Sequence, residues 1–194
     1  MMSQMKKCIK HLETTDEPNF IPWFDENNPK LWKILVYNLD GPFEGGQYIF
    51  TLEAPDTFPH RPPTFSFDTP NGVFDPSAKK ICISIGEFHA DDSSADGGKG
   101  WRPTLGMCGF IISVVNCMRF FDKNSCGIGV SVQSDEVKKA LANKSVDYTK
   151  TKLKNIYDNI IKHGNTSLPS KLMEPINSVK DDKPVPEGAA AEDC

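Results

Sequence analysis

The sequence predicts an α+β fold: an N-terminal helix, a four-stranded antiparallel meander, a long active-site loop, a central helix and two C-terminal helices. Two observations predict it. Short aromatic and β-branched stretches alternate with turn residues between positions 20 and 67, as in antiparallel sheets, and helical patterns follow and precede them. With 194 residues, 38% of them hydrophobic, the chain has room for one buried core. We therefore expect one domain, residues 1–163, and a tail, residues 164–194.

The first element is a short amphipathic helix over residues 1–14. Its apolar side chains recur at helical spacing, and its lysines fall on the opposite side. The apolar side chains are Met5, Cys8, Ile9 and Leu12, and the lysines are Lys6, Lys7 and Lys10. The pattern predicts a buried apolar face, and the lysines by themselves indicate a solvated surface.

The meander is predicted by segments rich in strand-forming residues. LWKILVY (31–37) and QYIFTLEA (47–54) flank NLDGPFEGG, whose Asp-Gly and Gly-Gly steps mark a chain reversal. TFSF (64–67) follows FPHRPP, and because proline cannot donate to a strand ladder, that proline-rich segment lies between strands. With the stretch that begins at Phe20, this makes about four strands.

A long loop and an apolar segment come next. Residues 69–103 show almost no periodicity, and a loop of this length inside a compact domain is usually functional or disordered. TLGMCGFIISVVNCMRFF (104–121) is apolar nearly all the way round, which suits a buried central helix. Its β-branched pairs would also suit a strand, and periodicity alone does not choose.

Two helices are expected after the central segment. The shorter one runs from Asp135 to Asn143. The second repeats at three- and four-residue steps and ends at His163-Gly164, because glycine is a frequent helix terminator. The residues that carry this second pattern are Thr149, Leu153, Ile156 and Ile160. Beyond Gly164, prolines, charges and alanines predominate, which predicts a flexible tail.

Composition restricts the class of partner. The chain has 22 basic and 26 acidic residues, a net charge of -4, so it lacks the cationic surface that nucleic acid or anionic lipid requires. The N-terminus lacks the apolar run of a secretory signal, and the apolar residues 107–118 are too few to span a bilayer. We expect a soluble, intracellular protein without a membrane anchor, with six free thiols and a protein or small-molecule partner.

Cys82 is the candidate nucleophile, and the residues leave several interpretations of it open. Only Cys8 and His11 have ligand-like spacing and no phosphate-binding loop is present, so no metal or cofactor is expected. A cysteine hydrolase would need an activating base, and His89 lies seven residues from Cys82, although such pairs normally come from distant parts of the chain. An acyl carrier needs less activation of its thiol. An inert core cysteine, alternating with isoleucines in ICISI, fits equally well.

Charge near Cys82 in the sequence predicts a raised thiol pKa. Acidic side chains that fold near a thiol disfavour the thiolate, and nearby lysines partly offset them. The acidic residues are Glu87, Asp91, Asp92 and Asp96, and the lysines are Lys79 and Lys80. A thiol of raised pKa attacks amides poorly, yet it exchanges acyl groups with an activated thioester.

Together these motifs resemble the ubiquitin-conjugating enzyme family. GPFEGGQYIFTLEAPDTFPHRPPTFSF is similar to the family's GP…Y.GG.F…P..YP..PP…F meander, and KKICISI is similar to the segment that bears its catalytic cysteine. Trp101 and Pro103 match the W.P motif. Order and spacing agree from about residue 10 to residue 163, so the resemblance covers the predicted domain.

The resemblance implies a transferase of an ATP-dependent pathway. Ubiquitin from an activating enzyme would form a thioester on Cys82 and pass to a lysine or another acceptor with help from a ligase. Asn71 matches the asparagine of the family's HPN tripeptide, whose amide stabilises the oxyanion or braces the loop. Thr69 replaces the usual histidine, and Asn71 is farther from the cysteine than in most members.

The same resemblance implies the partner surfaces. The activating enzyme would contact Lys6, Lys7 and Lys10. The ligase would contact His60, Pro103 and Thr104, and the polar His60, at a position that is commonly apolar, would alter ligase choice. The acidic insertion 87–99 would gate the acceptor's approach to Cys82 or form a passive excursion. Its candidate gating residues are Glu87, His89, Asp91 and Asp92.

Within the family, TPNG, ICISI…FH, GIGVS and KKALANKS resemble the J-type branch associated with the endoplasmic reticulum. Members of that branch usually end in a membrane anchor, and we expect none here. The expected location is cytoplasmic, peripheral to the endoplasmic reticulum, in an ERAD-like setting. Two alternatives remain: a non-catalytic scaffold that binds ubiquitin, which the presence of Cys82 disfavours, and a carrier of a ubiquitin-like modifier.

Overall fold

The computed structural model describes residues 1–16, 18–89 and 100–164. In this part of the chain, four α-helices surround one four-stranded sheet. The helices are α1 (Met2–Glu13), α2 (Gly106–Phe120), α3 (Asp135–Thr151) and α4 (Lys154–His163). The strands are β1 (Phe20–Phe24), β2 (Leu31–Val36), β3 (Tyr48–Glu53) and β4 (Thr64–Phe67). The predicted α+β fold is confirmed. The predicted tail lies outside the described residues from position 165 onward.

The sheet is the predicted antiparallel meander, in the order β1-β2-β3-β4. Successive side chains of a strand face opposite sides of a sheet. On one face, which we call the inner face, Ile34 pairs with Phe50, and both belong to the main core. On the opposite face, which we call the outer face, Leu35 pairs with Ile49 and with Ile21, and all three are fully buried in a second cluster. The sheet therefore has an apolar core on each face.

The central segment is a helix, which decides the alternative that its periodicity left open. α2 has 15 residues, longer than a typical strand. Phe110 meets Phe65 edge to face, with 5.9 Å between ring centroids, which places α2 on the inner face of the sheet. Along the other side of α2 lies α1, where the amide oxygen of Gln4 accepts the Met107 N–H at 3.2 Å. As predicted, Met5, Cys8 and Leu12 form the buried face of α1 and its lysines are exposed.

The predicted division between the two C-terminal helices is wrong. α3 does not end at Asn143 but continues to Thr151, because residues 144–151 contain no glycine or proline to interrupt it. Thr149 is therefore the last buried residue of α3, and its hydroxyl donates to the Ser145 carbonyl at 2.9 Å. α4 begins only at Lys154, and its Tyr157 and Ile160 belong to the second cluster, on the outer face of the sheet. No helix among the described residues combines the length and the apolar character needed to cross a membrane.

Candidate active site

Cys82 lies in an irregular segment where isoleucines anchor the chain to the core. Ile81 and Ile83 are 3% and 2% exposed, whereas Cys82 between them is only half-buried. Alternation along the chain thus turns the isoleucines inward and the thiol outward. The isoleucines, and not Cys82, occupy the core at this point, so the structure does not place Cys82 among the fully buried core residues.

Two segments hold Cys82 from either side. On one side, the short 3₁₀ turn Glu87–His89 places Nε2 of His89 3.2 Å from the Cys82 sulfur. On the other side, the backbone carbonyl of Ile128 accepts the Cys82 N–H at 2.8 Å. A Cβ added to Gly127 would lie 3.3 Å from the Cys82 Cβ, so this close approach suits glycine. The sulfur therefore lies between the His89 imidazole and the turn that contains Ile128.

The thiol pKa is shifted in the predicted direction, although the main cause differs. Burial raises the pKa of Cys82, the Ile128 N–H lowers it, and the nearby Cys126 thiol raises it further. Glu87 forms an ion pair with Lys80 at 2.9 Å, so these two opposite charges largely offset each other beside the thiol. Asp91, Asp92 and Asp96 lie outside the described residues.

Asn71 is a fully buried brace of the loop that precedes Cys82. Its Oδ1 accepts the backbone N–H groups of Val73 and Phe74, both at 2.9 Å, and its Nδ2 donates to the Thr69 carbonyl at 3.2 Å. Thr69, at the position of the family's histidine, accepts the Ile49 N–H through its hydroxyl at 3.0 Å. Both side chains thus make hydrogen bonds that hold the loop in place. The geometry supports the bracing role that the sequence left open for Asn71.

The loop is also fixed from the side of α3. The Gly72 carbonyl accepts the Gln133 N–H at 2.8 Å, and the Val73 carbonyl accepts the Ser131 N–H at 2.9 Å. Gly72 has φ +76°, a left-handed conformation that favours glycine. The TPNG turn is therefore locked by backbone bonds to the segment that leads into α3.

The two loops assigned to ligase contact lie together. The indole N–H of Trp101 donates to the Pro59 carbonyl at 2.7 Å, which ties the loop of His60 to the loop of Pro103 and Thr104. His60, Pro103 and Thr104 are all exposed. Beside them, Leu105 is 37% exposed. Lys6, Lys7 and Lys10 are exposed on α1, the helix that packs against the start of α2.

The gating residues are only partly described. Glu87 and His89 lie in the 3₁₀ turn beside Cys82, and Phe88 between them is 45% exposed. Asp91 and Asp92 lie outside the described residues. In the parts of the chain that the structure describes, no three His, Cys, Asp or Glu side chains converge as a metal site.

Sequence reasoning missed the segment 126–130. It lies more than forty residues from Cys82 in the chain, so no local pattern connects the two. The available signal was GIGVS, whose glycines suit a close backbone approach. The structure shows this segment as the second wall of the site, with Ile128 59% exposed beside the thiol.

Comparison with known proteins now identifies the family. The family model described as "Ubiquitin-conjugating enzyme" matches residues 4–152. The chain belongs to the ubiquitin-conjugating enzyme family. It is 27% identical over 175 residues to "Ubiquitin-conjugating enzyme E2 6" of Candida glabrata, covering 88% of this chain and 66% of that protein. It is 23% identical over 150 residues to "Ubiquitin-conjugating enzyme E2 J2-like" of Dictyostelium discoideum, covering 77% of this chain and 81% of that protein.

The ubiquitin-conjugating fold is also found among solved structures. The E2 domain of a Toxoplasma gondii ubiquitin conjugating enzyme superposes with a TM-score of 0.50 at 16% identity, covering 77% of this chain and 97% of that one. At this identity the likeness concerns the fold. The chain spans between about half and two thirds of the length of several fungal relatives that it matches, such as 57% of the protein from Eremothecium gossypii.

Proposed function

We propose that this member of the family is an active ubiquitin-conjugating enzyme. Ubiquitin is accepted from an activating enzyme as a thioester on Cys82 and is then transferred to a substrate lysine with help from a ligase. One observation carries the proposal: Cys82 is only half-buried while its two neighbours are buried, so the core anchors the segment and leaves the cysteine partly exposed. Family membership supports the choice of ubiquitin.

Charging of Cys82 is an exchange between two thioesters. The sulfur attacks the carbonyl carbon of the incoming thioester, a new C–S bond forms, and the donor's sulfur leaves and takes up a proton. At 3.2 Å, Nε2 of His89 is placed to accept the proton that Cys82 gives up. In the second step an amine attacks the same carbonyl carbon and gives a proton to His89, a C–N bond forms, the C–S bond breaks, and the Ile128 N–H stabilises the departing Cys82 thiolate.

Apolar surface flanks the thiol on both sides. Phe88 in the 3₁₀ turn and Ile128 in the opposite wall are 45% and 59% exposed. Exposed apolar side chains beside a reactive group favour contact with a partner. We assign them to the extended carboxyl end of ubiquitin as it lies against Cys82. Glu87 and His89 would then border the path of the acceptor, as the gating role requires.

The remaining surfaces are proposed from family resemblance and exposure. The loops of His60 and of Pro103 and Thr104 form one surface, which is assigned to the ligase, and the lysines of α1 are assigned to the activating enzyme. The TPNG turn and the Dictyostelium relative named "E2 J2-like" support the J-type branch, and the resemblance to that branch implies a site of action at the endoplasmic reticulum. Residues 1–163 are proposed as the catalytic domain.

A charging assay tests the central proposal. The protein is mixed with activating enzyme, ATP and ubiquitin and analysed on non-reducing gels. We expect an adduct that reductant removes, an adduct resistant to reductant with Cys82→Ser because an oxyester replaces the thioester, and none with Cys82→Ala. Cys117→Ala, at a half-buried cysteine of α2, is the matched control and should charge like the native chain. An adduct that persists in Cys82→Ala would refute the assignment, and a chain that never charges would indicate the scaffold alternative.

The role of His89 has its own test. His89→Gln preserves much of the side-chain volume but removes the base, so discharge of the thioester to free lysine at pH 7 should slow by about a hundredfold. His60→Gln alters an exposed histidine of a different loop and serves as the control. Equal discharge rates for His89→Gln and the native chain would exclude His89 as proton acceptor.

A further inference from the structure

A second thiol lies in the wall of the site. Cys126 is a free, exposed cysteine that immediately precedes Gly127. A Cβ added to Gly127 would lie 3.3 Å from the Cβ and 3.6 Å from the sulfur of Cys82. The next residue, Ile128, accepts the Cys82 N–H at 2.8 Å. The backbones that carry Cys82 and Cys126 are therefore in contact, with Cys126 one residue away from the position directly opposite Cys82.

This spacing is close to what a disulfide needs. Cβ atoms joined by a disulfide are roughly 3.5 to 4.5 Å apart. A Cβ at position 127 would lie 3.3 Å from the Cys82 Cβ, just below that range, so a local turn of the chain that moves Cys126 toward this position would bring its thiol within reach of Cys82. Glycines at 127 and 129 allow such a turn, since neither carries a Cβ, and Gly129 already has φ +74°. The Cys126 thiol is also near enough to affect the ionisation of Cys82 electrostatically.

We propose that Cys82 and Cys126 form a reversible disulfide, which makes Cys126 a redox modification site of the active site. Bond formation depends only on the two thiols and an oxidant. Its consequence rests on the proposed function: while the disulfide exists, Cys82 has no thiol to accept ubiquitin, and the sulfur is protected from further oxidation.

The reaction balances with hydrogen peroxide as the oxidant. Peroxide transfers one oxygen to the exposed sulfur of Cys126, which becomes a sulfenic acid, and one water is released. The Cys82 sulfur then attacks the Cys126 sulfur, an S–S bond forms and the S–O bond breaks. The leaving hydroxide takes the proton that Cys82 gives up through His89 and departs as a second water. Two thiols lose two electrons and two protons in total, and a dithiol such as dithiothreitol reverses the change.

A peptide map tests the bond without ubiquitin. The full chain is freed of reductant, treated with an equimolar amount of hydrogen peroxide, blocked with N-ethylmaleimide and digested with trypsin without reduction. Cleavage after Lys80, Lys99, Lys123 and Lys138 should leave residues 81–99 linked to residues 124–138. The linked product should be about 2 Da lighter than the sum of its peptides. A map that lacks this product, or in which another pair such as Cys8 and Cys108 predominates, would overturn the proposal.

Recovery of charging tests the protection. Charging of the native chain and of Cys126→Ser is measured first without oxidation, and recovery is expressed relative to each chain's own starting level. After excess peroxide followed by dithiothreitol, the native chain should regain charging, whereas Cys126→Ser should recover about tenfold less because Cys82 proceeds to the sulfinic acid. Cys117→Ser is the matched control and should recover like the native chain. Equal recovery in Cys126→Ser contradicts the proposal. Failure to charge before oxidation would instead count against the proposed function, while the peptide map still decides the disulfide.

Discussion

At the scale of single residues, the ionisation of Cys82 governs how fast it reacts. Its pKa is raised above the ordinary 9.0, chiefly by burial, so the thiol is mostly protonated at neutral pH. Because the thiolate is the nucleophile, the rate of alkylation by iodoacetamide should keep rising with pH beyond 9. The measurement is the rate of modification of the peptide that contains Cys82, followed by mass spectrometry between pH 6 and 10. A rate that levels off below pH 8 would show a lowered pKa and contradict the structure.

Asn71 offers a second test at this scale. Asn71→Ala leaves the buried N–H groups of Val73 and Phe74 without their acceptor, which should lower the free energy of unfolding by about 2 to 4 kcal/mol. Urea denaturation measures the change. Asn124→Ala, at an exposed asparagine of the loop after α2, should change it by less than about 0.5 kcal/mol. A stable Asn71→Ala that charges but cannot discharge would mean that the amide acts in catalysis rather than in bracing.

The sequence located Cys82 and Asn71 but not how their surroundings fold. The sequence ICISI shows alternation, but alternation does not say whether the isoleucines or the residues between them face the core. The burial of Ile81 and Ile83 in the structure decides this point. The contact of Cys82 with segment 126–130 joins residues far apart in the chain, and such contacts depend on tertiary packing. His89 was within reach of Cys82 in the sequence, but only the fold of the 3₁₀ turn brings its ring to the sulfur.

At the scale of elements, α4 is the least expected part of the packing. Ile160 is fully buried against Ile21, Leu35 and Ile49, the row of side chains on the outer face of the sheet. Ile160→Ala should therefore leave a cavity and lower the free energy of unfolding by about 2 to 4 kcal/mol. Ile161→Ala, at the half-buried neighbouring position, should cost clearly less. Equal losses for the two variants in urea denaturation would show that α4 does not cover the sheet as described.

Elements with strong periodicity or distinct turn residues were predictable, and their boundaries were less so. The strands were marked by glycine and proline on either side, which is why the meander agrees with the structure. The break between α3 and α4 has neither residue at Lys152 and Leu153, so local signals could not place it. The position of α4 on the outer face of the sheet depends on tertiary contacts with apolar side chains of three strands, β1, β2 and β3.

At the scale of the whole molecule, the two apolar clusters make one folding unit because they share a sheet. Residues on alternate positions of β2 and β3 belong to different clusters, so loss of either core weakens the same strands. Unfolding of the domain should accordingly be a single cooperative transition. Among the residues that the structure describes, the members of both cores lie between Met1 and Ile161.

A shortened chain tests the proposed extent of this unit. A variant that ends at Gly164 retains α4, whose last turn is closed by the bond from the Gly164 N–H to the Ile160 carbonyl at 2.7 Å. Its free energy of unfolding in urea should match that of the full chain within about 0.5 kcal/mol, and it should charge with ubiquitin at the same rate. A variant that ends at Leu153 is the comparison: it lacks α4, exposes Ile21, Leu35 and Ile49, and should be strongly destabilised. If the chain ending at Gly164 proved as unstable as the chain ending at Leu153, residues beyond 164 would have to contribute to the core, and the domain boundary proposed at 163 would be wrong.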